Sequence, residues 1–380
     1  MTNMGSSFTL QSWSFRAVML LFLVMLSCTS IAAAPVRKVR DYFITAEEIV
    51  WNYAPNQWDN FRDQPLTELP SALYTVKNET RIGSSYVKCV YRQYMDKEFT
   101  LPLTHDGSLG LLGPIIRAEA GDQIRVLFYN KATKPFSLHP HTATFTSVPG
   151  QSIQPGNTYQ YIWDVPADFT FPTNQSSVLW TYISRADPLA DLNAGLLGPI
   201  VIYKAGTLAK PSPGSMFEKP QGIDQEIFTI MMTTDEGHSK YLIDSAAAAG
   251  IDEANLQHLT DTDPLFLESN RMYHINGYVY NNNEAIRLYY GHAVRWYLIS
   301  FGLADDDVHT AHWHGATLLQ HGHRVDVVDL MPVSFETLDL MPDNEGQWLF
   351  HCHVAQHFEA GMTAFYEVEK LEYTGDEGWG

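Results

Sequence analysis

Two stretches of the chain repeat one another in order and spacing, and any fold must accommodate both. GDQIRVLFYN at 121–130 is followed after a loop by HPH at 139–141, and GHAVRWYLIS at 291–300 is followed after a loop by HTAHWHG at 309–315. Each half then closes on a related segment, NAGLLGPIVIY at 193–203 and EAGMTAFYEV at 359–368. A duplicated unit is the simplest account. The segments themselves are short runs of Val, Ile, Tyr, Phe and Thr between Gly, Pro and Asn/Asp turns, which predicts an all-β pair of sandwiches. Helical signals are few; AEEIVWNYA at 46–54 and IDEANLQHL at 251–259 read as short excursions.

The stretch 207–222, TLAKPSPGSMFEKPQG, is rich in Pro, Gly, Ser and Lys and divides the halves as a linker. The expected organisation is a secretory signal over 1–34, a first sandwich over 35–206, the linker, a second sandwich over 223–372 and a tail over 373–380. The signal rests on Arg16, then AVMLLFLVML, then the small-residue run CTSIAAA; the apolar run is too short to span a bilayer. No later run is apolar enough to cross a membrane. Arg16 is the only charged residue of the signal, so 23 of the 24 basic residues remain against 43 acidic ones. Such an acidic surface argues against nucleic acid as a partner.

Loss of Cys28 with the signal leaves only Cys89 and Cys352, which excludes a disulfide framework. A single Cys89–Cys352 bridge satisfies the arithmetic but would waste the histidines around Cys352, and Cys89 reads as a small buried strand residue. Asn78 and Asn174 head glycosylation sequons, which also occur by chance.

The densest chemistry lies in FHCHVAQHFEAGM at 350–362. Cys352, His357 and Met362 bring a thiolate, an imidazole and a thioether to one loop; a second imidazole, with His309 as the natural donor, completes the ligand set of a blue-copper site. On a strand, His351 and His353 point away from the Cys352 thiolate and are free for another metal. The same holds for His312 and His314, and for His139 and His141. His321 and His323 read as exposed loop residues.

These motifs, with DYFITAEEIVWNYAP, LGLLGPIIRAEAGDQIRV and FLESNRMYHINGYVY, make the chain resemble the multicopper oxidases of the ceruloplasmin and hephaestin type. The resemblance implies two cupredoxin-like Greek-key β-sandwich domains in tandem. It implies a type 1 copper on His309, Cys352, His357 and Met362, a type 2 copper on His139 and His312, and a type 3 pair on His141, His314, His351 and His353. Electrons from Fe(II) or a small reductant would enter at type 1, cross Cys352 to His351 and His353, and reach O2. Two further histidines of the family pattern are missing, with Ile183 and Arg185 in their places, so oxygen-reducing turnover is open. Of the iron-site residues the family carries, Glu268 remains, Tyr273 replaces a histidine, His274 is one residue out of register and Gln356 replaces an acid. The acidic runs DEGH at 235 and ADDD at 304 read as solvated loop charge with iron ligation as the alternative. The family's first-domain disulfide has Ser177 and Tyr203 near its cysteine positions.

By analogy with six-domain relatives whose cluster lies between the first and last domains, the chain is expected to close a ring as a homotrimer. The alternatives are a copper-binding electron carrier or extracellular structural protein that has lost turnover, and a metal-free cupredoxin pair.

Overall fold

Val39–Asn52 runs through one sheet of the first half, antiparallel to Ser85–Tyr94 and parallel to Gln123–Asn130, with Thr158–Asp164 beyond. Gln225–Asp235 takes the same place in the second half, between antiparallel Arg271–Ile275 and parallel Val294–Ser300, with Ser334–Leu340 beyond. The facing sheets match as well. One runs Ile116–Glu119, Leu197–Tyr203, Ser177–Ile183, His139–Pro140; the other runs Ile286–Tyr289, Thr363–Glu369, Gly346–Cys352, His309–Trp313, with Val327–Leu330 added at the edge. The duplication seen in the sequence is therefore a duplication of strand order and direction. The computed structural model describes residues 37–141, 152–210, 218–302 and 307–371. The proposed signal over 1–34 and the tail over 373–380 lie outside them.

Local sequence explains the strands that face one core. In Gln123–Asn130, Ile124, Val126, Phe128 and Asn130 are buried and alternate with half-buried neighbours, the period of a pleated strand. Val294–Ser300 and Leu197–Tyr203 are buried at every position, so alternation cannot assign their faces. Both of their faces are covered. Trp296 meets Trp313 and Phe350 at ring-centroid distances of 5.6 and 5.1 Å inside the second sandwich. On the other side Tyr297 stacks on Phe228 at 4.7 Å, in a seam core that also takes Leu179, Val201 and Tyr203 from the first half. Burying each such side chain is worth roughly 1.5–3 kcal/mol, so the halves share a core rather than hang on a tether.

Polar groups close the seam. Arg295 pairs with Asp339 and donates to Ser176 and Ser177 of the first half. Ser177 lies directly opposite Tyr203 in the ladder, with its hydroxyl 2.8 Å from that of Tyr297. The ends of the linker are also tied, because Leu208–Ala209 pairs with Lys219–Pro220 and Glu218 takes both Lys38 and Arg40; residues 211–217 lie outside the described set.

The two helical signals fared differently. AEEIVWNYA is strand as far as Asn52, because pairing with Ser85–Tyr94 outweighs the helix preference of Ala and Glu. IDEANLQHL opens the second of three consecutive helices, Leu242–Ala249, Glu253–Thr262 and Pro264–Ser269. Asp252 caps one and Asp263 the next, where Pro264 fills the first helical position. Cys89 is buried and unbridged in the first core, and burial pushes its thiol up.

Candidate metal centre

The strand Gly346–Cys352 lies between Thr363–Glu369 and His309–Trp313, and it ends by turning into the short helix Ala355–Glu359. Two backbone bonds fasten that loop: the Cys352 N–H donates to the Met362 carbonyl at 3.1 Å and the Met362 N–H to the His357 carbonyl at 2.9 Å. Gly361 makes the return possible. Its φ is +102°, and a Cβ there would sit 2.8 Å from the Tyr280 ring.

Cys352 Sγ stands 3.6 Å from His357 Nδ1 and 3.8 Å from His309 Nδ1, and the two nitrogens are 3.1 Å apart. Metal–nitrogen and metal–sulfur bonds of about 2.0 and 2.3 Å in a trigonal plane need donors about 3.5 and 3.7 Å apart, so the three groups fit one soft metal ion. Cys352, His309 and Met362 are fully buried and His357 nearly so. Burial raises the thiol, opposed by the Thr310 N–H, which reaches the sulfur at 3.5 Å. A bound cation favours the thiolate.

Cross-strand pairing puts Ala311 opposite Cys352 and His312 opposite His351, so the imidazoles of 312 and 351 face away from the sulfur. There the donor atoms of His312, His314 and His351 all lie within 4.8 Å of one another, with His314 Nε2 and His351 Nε2 at 3.1 Å. His351 Nδ1 is 2.9 Å from the Cys352 carbonyl; with the proton on Nδ1 the carbonyl accepts it and Nε2 keeps its lone pair. His312 Nδ1 is buried without a hydrogen bond. The exposed His353 ring lies 5.3 Å from that of His312 and 5.5 Å from that of His351. Burial, with help from the neighbouring imidazoles, pulls His351 down to about 4, so it is neutral at pH 7. His312 is lowered for the same reasons.

His139 and His141 are elsewhere. His139 is buried against Tyr161, its Nε2 lacks a hydrogen bond, and burial together with Arg185 holds it down to about 4. The His141 ring packs on Phe301 at 5.1 Å and Phe335 at 6.2 Å, not on the four histidines of the second half. The ladder places Ile183 opposite His139 as it places His351 opposite His312. Arg185, two residues on, reaches the Pro140 carbonyl at 3.5 Å.

Glu268 accepts hydrogen bonds from Tyr74 at 2.8 Å and Tyr273 at 3.2 Å, and Arg271 lies 3.8 Å away. Tyr273 also receives Gln356 and tilts over the His357 ring at 5.1 Å. Among the described residues only the two groups above bring three His, Cys, Asp or Glu donors together, and neither includes Glu268. His274 is buried, bonded to Thr234 and to the Gly277 N–H. Within the 235 run Glu236 is not solvated charge: it is fully buried and paired with Lys88 at 2.5 Å, while Asp235 is partly exposed and His238 exposed. Residues 304–306 of the other acidic run lie outside the described set, and Asp307 is buried. His321 lies 3.6 Å from Glu336. Sequence reasoning missed the roles of Tyr74 and Lys88; each comes from a distant segment, and nothing local signals it.

Two tandem cupredoxin sandwiches with a Cys-His-His site on the second define a copper protein. Two models of the multicopper oxidase family match residues 103–206 and 251–372, and the chain belongs to that family. It is 37% identical to mouse hephaestin over 342 residues, which is 87% of this chain and 28% of hephaestin. It is 34% identical to human ceruloplasmin (88% and 31%) and 32% to the human ferroxidase HEPHL1 (88% and 29%). The chain thus spans about a third of the length of these relatives. Among solved structures it overlays a multicopper oxidase at TM-score 0.51 and 18% identity, covering 89% of this chain and 92% of that one. It overlays a copper nitrite reductase from Nitrosomonas europaea at 0.55 and 16%, covering 87% and 94%; these likenesses bear on the fold alone.

Proposed function

We propose that the chain is a copper oxidoreductase that accepts single electrons at the Cys352 site and delivers them to the histidine face behind it. Fe(II) or a small organic reductant is the donor and dioxygen the acceptor. The observation that carries this reading is the junction of residues 351 and 352. Cys352 gives its sulfur to one site while its carbonyl holds Nδ1 of His351, whose Nε2 is left for the other. When bound, copper at the first site supplies a one-electron couple. His309, Cys352, His357 and Met362 would hold it, and their burial keeps water from the sulfur. His312, His314, His351 and His353 would hold metal on the other face, with His139 and His141 joining from outside the chain's own second half.

Because those two do not meet the other four within one chain, the site needs a second copy or an equivalent neighbouring domain. Three copies joined head to tail would close such a ring. Light scattering that returns the protomer mass would overturn the trimer. We also infer export, from the leader-like first 34 residues and the exposed sequon residues Asn78 and Asn174, and a division into sandwiches over 35–206 and 223–372.

A second reading is favoured by Ile183 and Arg185, which place a methyl-bearing chain and a cation where ligands are needed. On it the chain is a copper-binding electron carrier or extracellular structural protein without oxygen turnover. A metal count with a visible spectrum and oxygen uptake separates the two. Three or four coppers with uptake support the oxidase; one copper with a thiolate charge-transfer band and no uptake supports the carrier. No band after copper loading overturns both.

A further inference from the structure

At the seam, on the flank where Ser85–Tyr94 and Ile116–Glu119 of the first half approach Gln225–Asp235 of the second, lies a recess of about 180 Å³. That is roughly six water molecules' share of liquid volume, enough for a small organic molecule. It opens beside a wider cleft of about 800 Å³ that shares Asp106, Ser108, Arg117, Glu226 and Phe228 with it. The walls include an apolar and a cationic side, with His105, Asp106 and Glu226 also lining the recess. Leu103, Leu109, Ile115 and Phe228 give an apolar side, and Arg92 with Arg117 gives a cationic one.

The two arginines are not equivalent. Arg117 is held by an acid: its Nη2 donates to Glu226 Oε2 at 3.0 Å and its guanidinium lies over the Phe228 ring, with only its Nε buried and unbonded. Glu226 in turn is saturated by the hydroxyls of Tyr203 and Tyr297 at 2.6 and 3.1 Å. Arg92 has neither a hydrogen bond nor an ion pair from its guanidinium among the described residues, and its Nη1 is buried without a partner. Asp106 on the rim is exposed and spends one carboxylate oxygen on Ser108. Glu47 acts on Arg92 only through space, since its carboxylate is bonded to Thr45 and Tyr94. A half-buried guanidinium left without an acceptor is costly, and a fixed fork of donors beside an apolar wall matches a carboxylate carried on an apolar body.

We propose that this recess binds a small organic carboxylate, a monoanion of about benzoate size, with its carboxylate on Arg92 and its apolar body against Leu103, Leu109 and Phe228. The site is separate from the metal centre and does not rest on the copper reading. Because its walls come from both halves, the ligand clamps the seam and stabilises the chain as a whole.

The test is thermal unfolding and equilibrium dialysis of the full chain with sodium benzoate, against benzamide, inorganic phosphate and chloride at constant ionic strength. Saturable benzoate binding with a rise in Tm, little effect of benzamide, and at least tenfold weaker binding in Arg92→Gln are expected. Leu103→Trp, which fills the apolar wall and touches neither arginine in its chemistry, should also weaken benzoate at least tenfold and serves if Arg92→Gln does not fold. Absence of saturable benzoate binding, equal binding of benzamide, displacement by phosphate as effective as by benzoate, or unchanged affinity in either folded variant would overturn the proposal.

Discussion

Residue chemistry divides this molecule sharply between groups that wait for a metal and groups that are already satisfied. Cys352 belongs to the first kind. Cys352→Ser removes the soft donor while leaving the shape, so the copper band should disappear and far-ultraviolet dichroism should stay unchanged. Glu268 belongs to the second, because two phenols already occupy one of its oxygens. With Fe(II) as the donor proposed above, Glu268→Gln should therefore change its KM by less than about threefold, roughly 0.7 kcal/mol, in stopped-flow oxidation. A larger effect would make Glu268 an iron ligand. His274 sets a pH dependence. Burial first, then Lys88 and His309, depress it to about 3 in the fold, against about 6.5 when unfolded. The unfolded chain then binds the extra proton, so stability from this group is full above 6.5 and lost as pH falls towards 3, by at most about 1.4 kcal/mol per pH unit. Urea titrations of the metal-free protein between pH 7 and pH 4 should show the loss, with a shallower slope in His274→Asn. The cluster of His309, Cys352 and His357 was legible in the sequence because Cys352 and His357 share one loop. The hydrogen bonding of Glu268 was not, since its partner Tyr74 comes from nearly two hundred residues away.

Elements explain why some of the fold could be read and some could not. Strands covered on one side, such as Gln123–Asn130, announce themselves by alternation. Leu197–Tyr203 and Val294–Ser300 are covered on both sides, so the pattern that identifies them as strands says nothing about the seam they build. Local preference also misled at 46–54, where helix-forming Ala46, Glu47 and Glu48 sit in a strand paired along one edge with Ser85–Tyr94, Ala46 alone being paired on the other edge as well. The three-helix insertion at 242–269 was foreshadowed only by its middle segment, because Leu242–Ala249 is short and Pro264–Ser269 shorter still. At the metal loop the decisive element is the turn at Gly361. Gly361→Ala meets both the positive φ and the Tyr280 ring, and should cost about 1–3 kcal/mol. Denaturant unfolding would measure that cost. A shifted copper spectrum in the same variant would show that the loop, and not only the fold, has moved.

At the scale of the whole molecule, the shared core at the seam predicts cooperative behaviour. Phe228, Tyr297 and Ile299 are buried against Leu179, Val201 and Tyr203, so neither sandwich can lose its partner without exposing apolar surface. Calorimetry should give one unfolding transition, and Tyr297→Ala should lower it without splitting it, at a cost of about 3–5 kcal/mol. Two separated transitions in the unmodified chain would contradict the shared core. The position of His141 against Phe301 and Phe335 could not be read from the sequence, because spacing along a chain does not say which faces of two sandwiches meet.

The alternation of faces at 351 and 352 has a further consequence. Sulfur and imidazole are sorted to their two sites by the pleat alone, since each neighbour along the strand changes side. A substitution within Gly346–Cys352 can therefore damage one site and spare the other, whereas inserting or deleting a single residue there would turn sulfur towards the histidines and imidazole towards the core in one stroke. The strand works as a fixed-length ruler, tolerant of spelling changes and intolerant of miscounting.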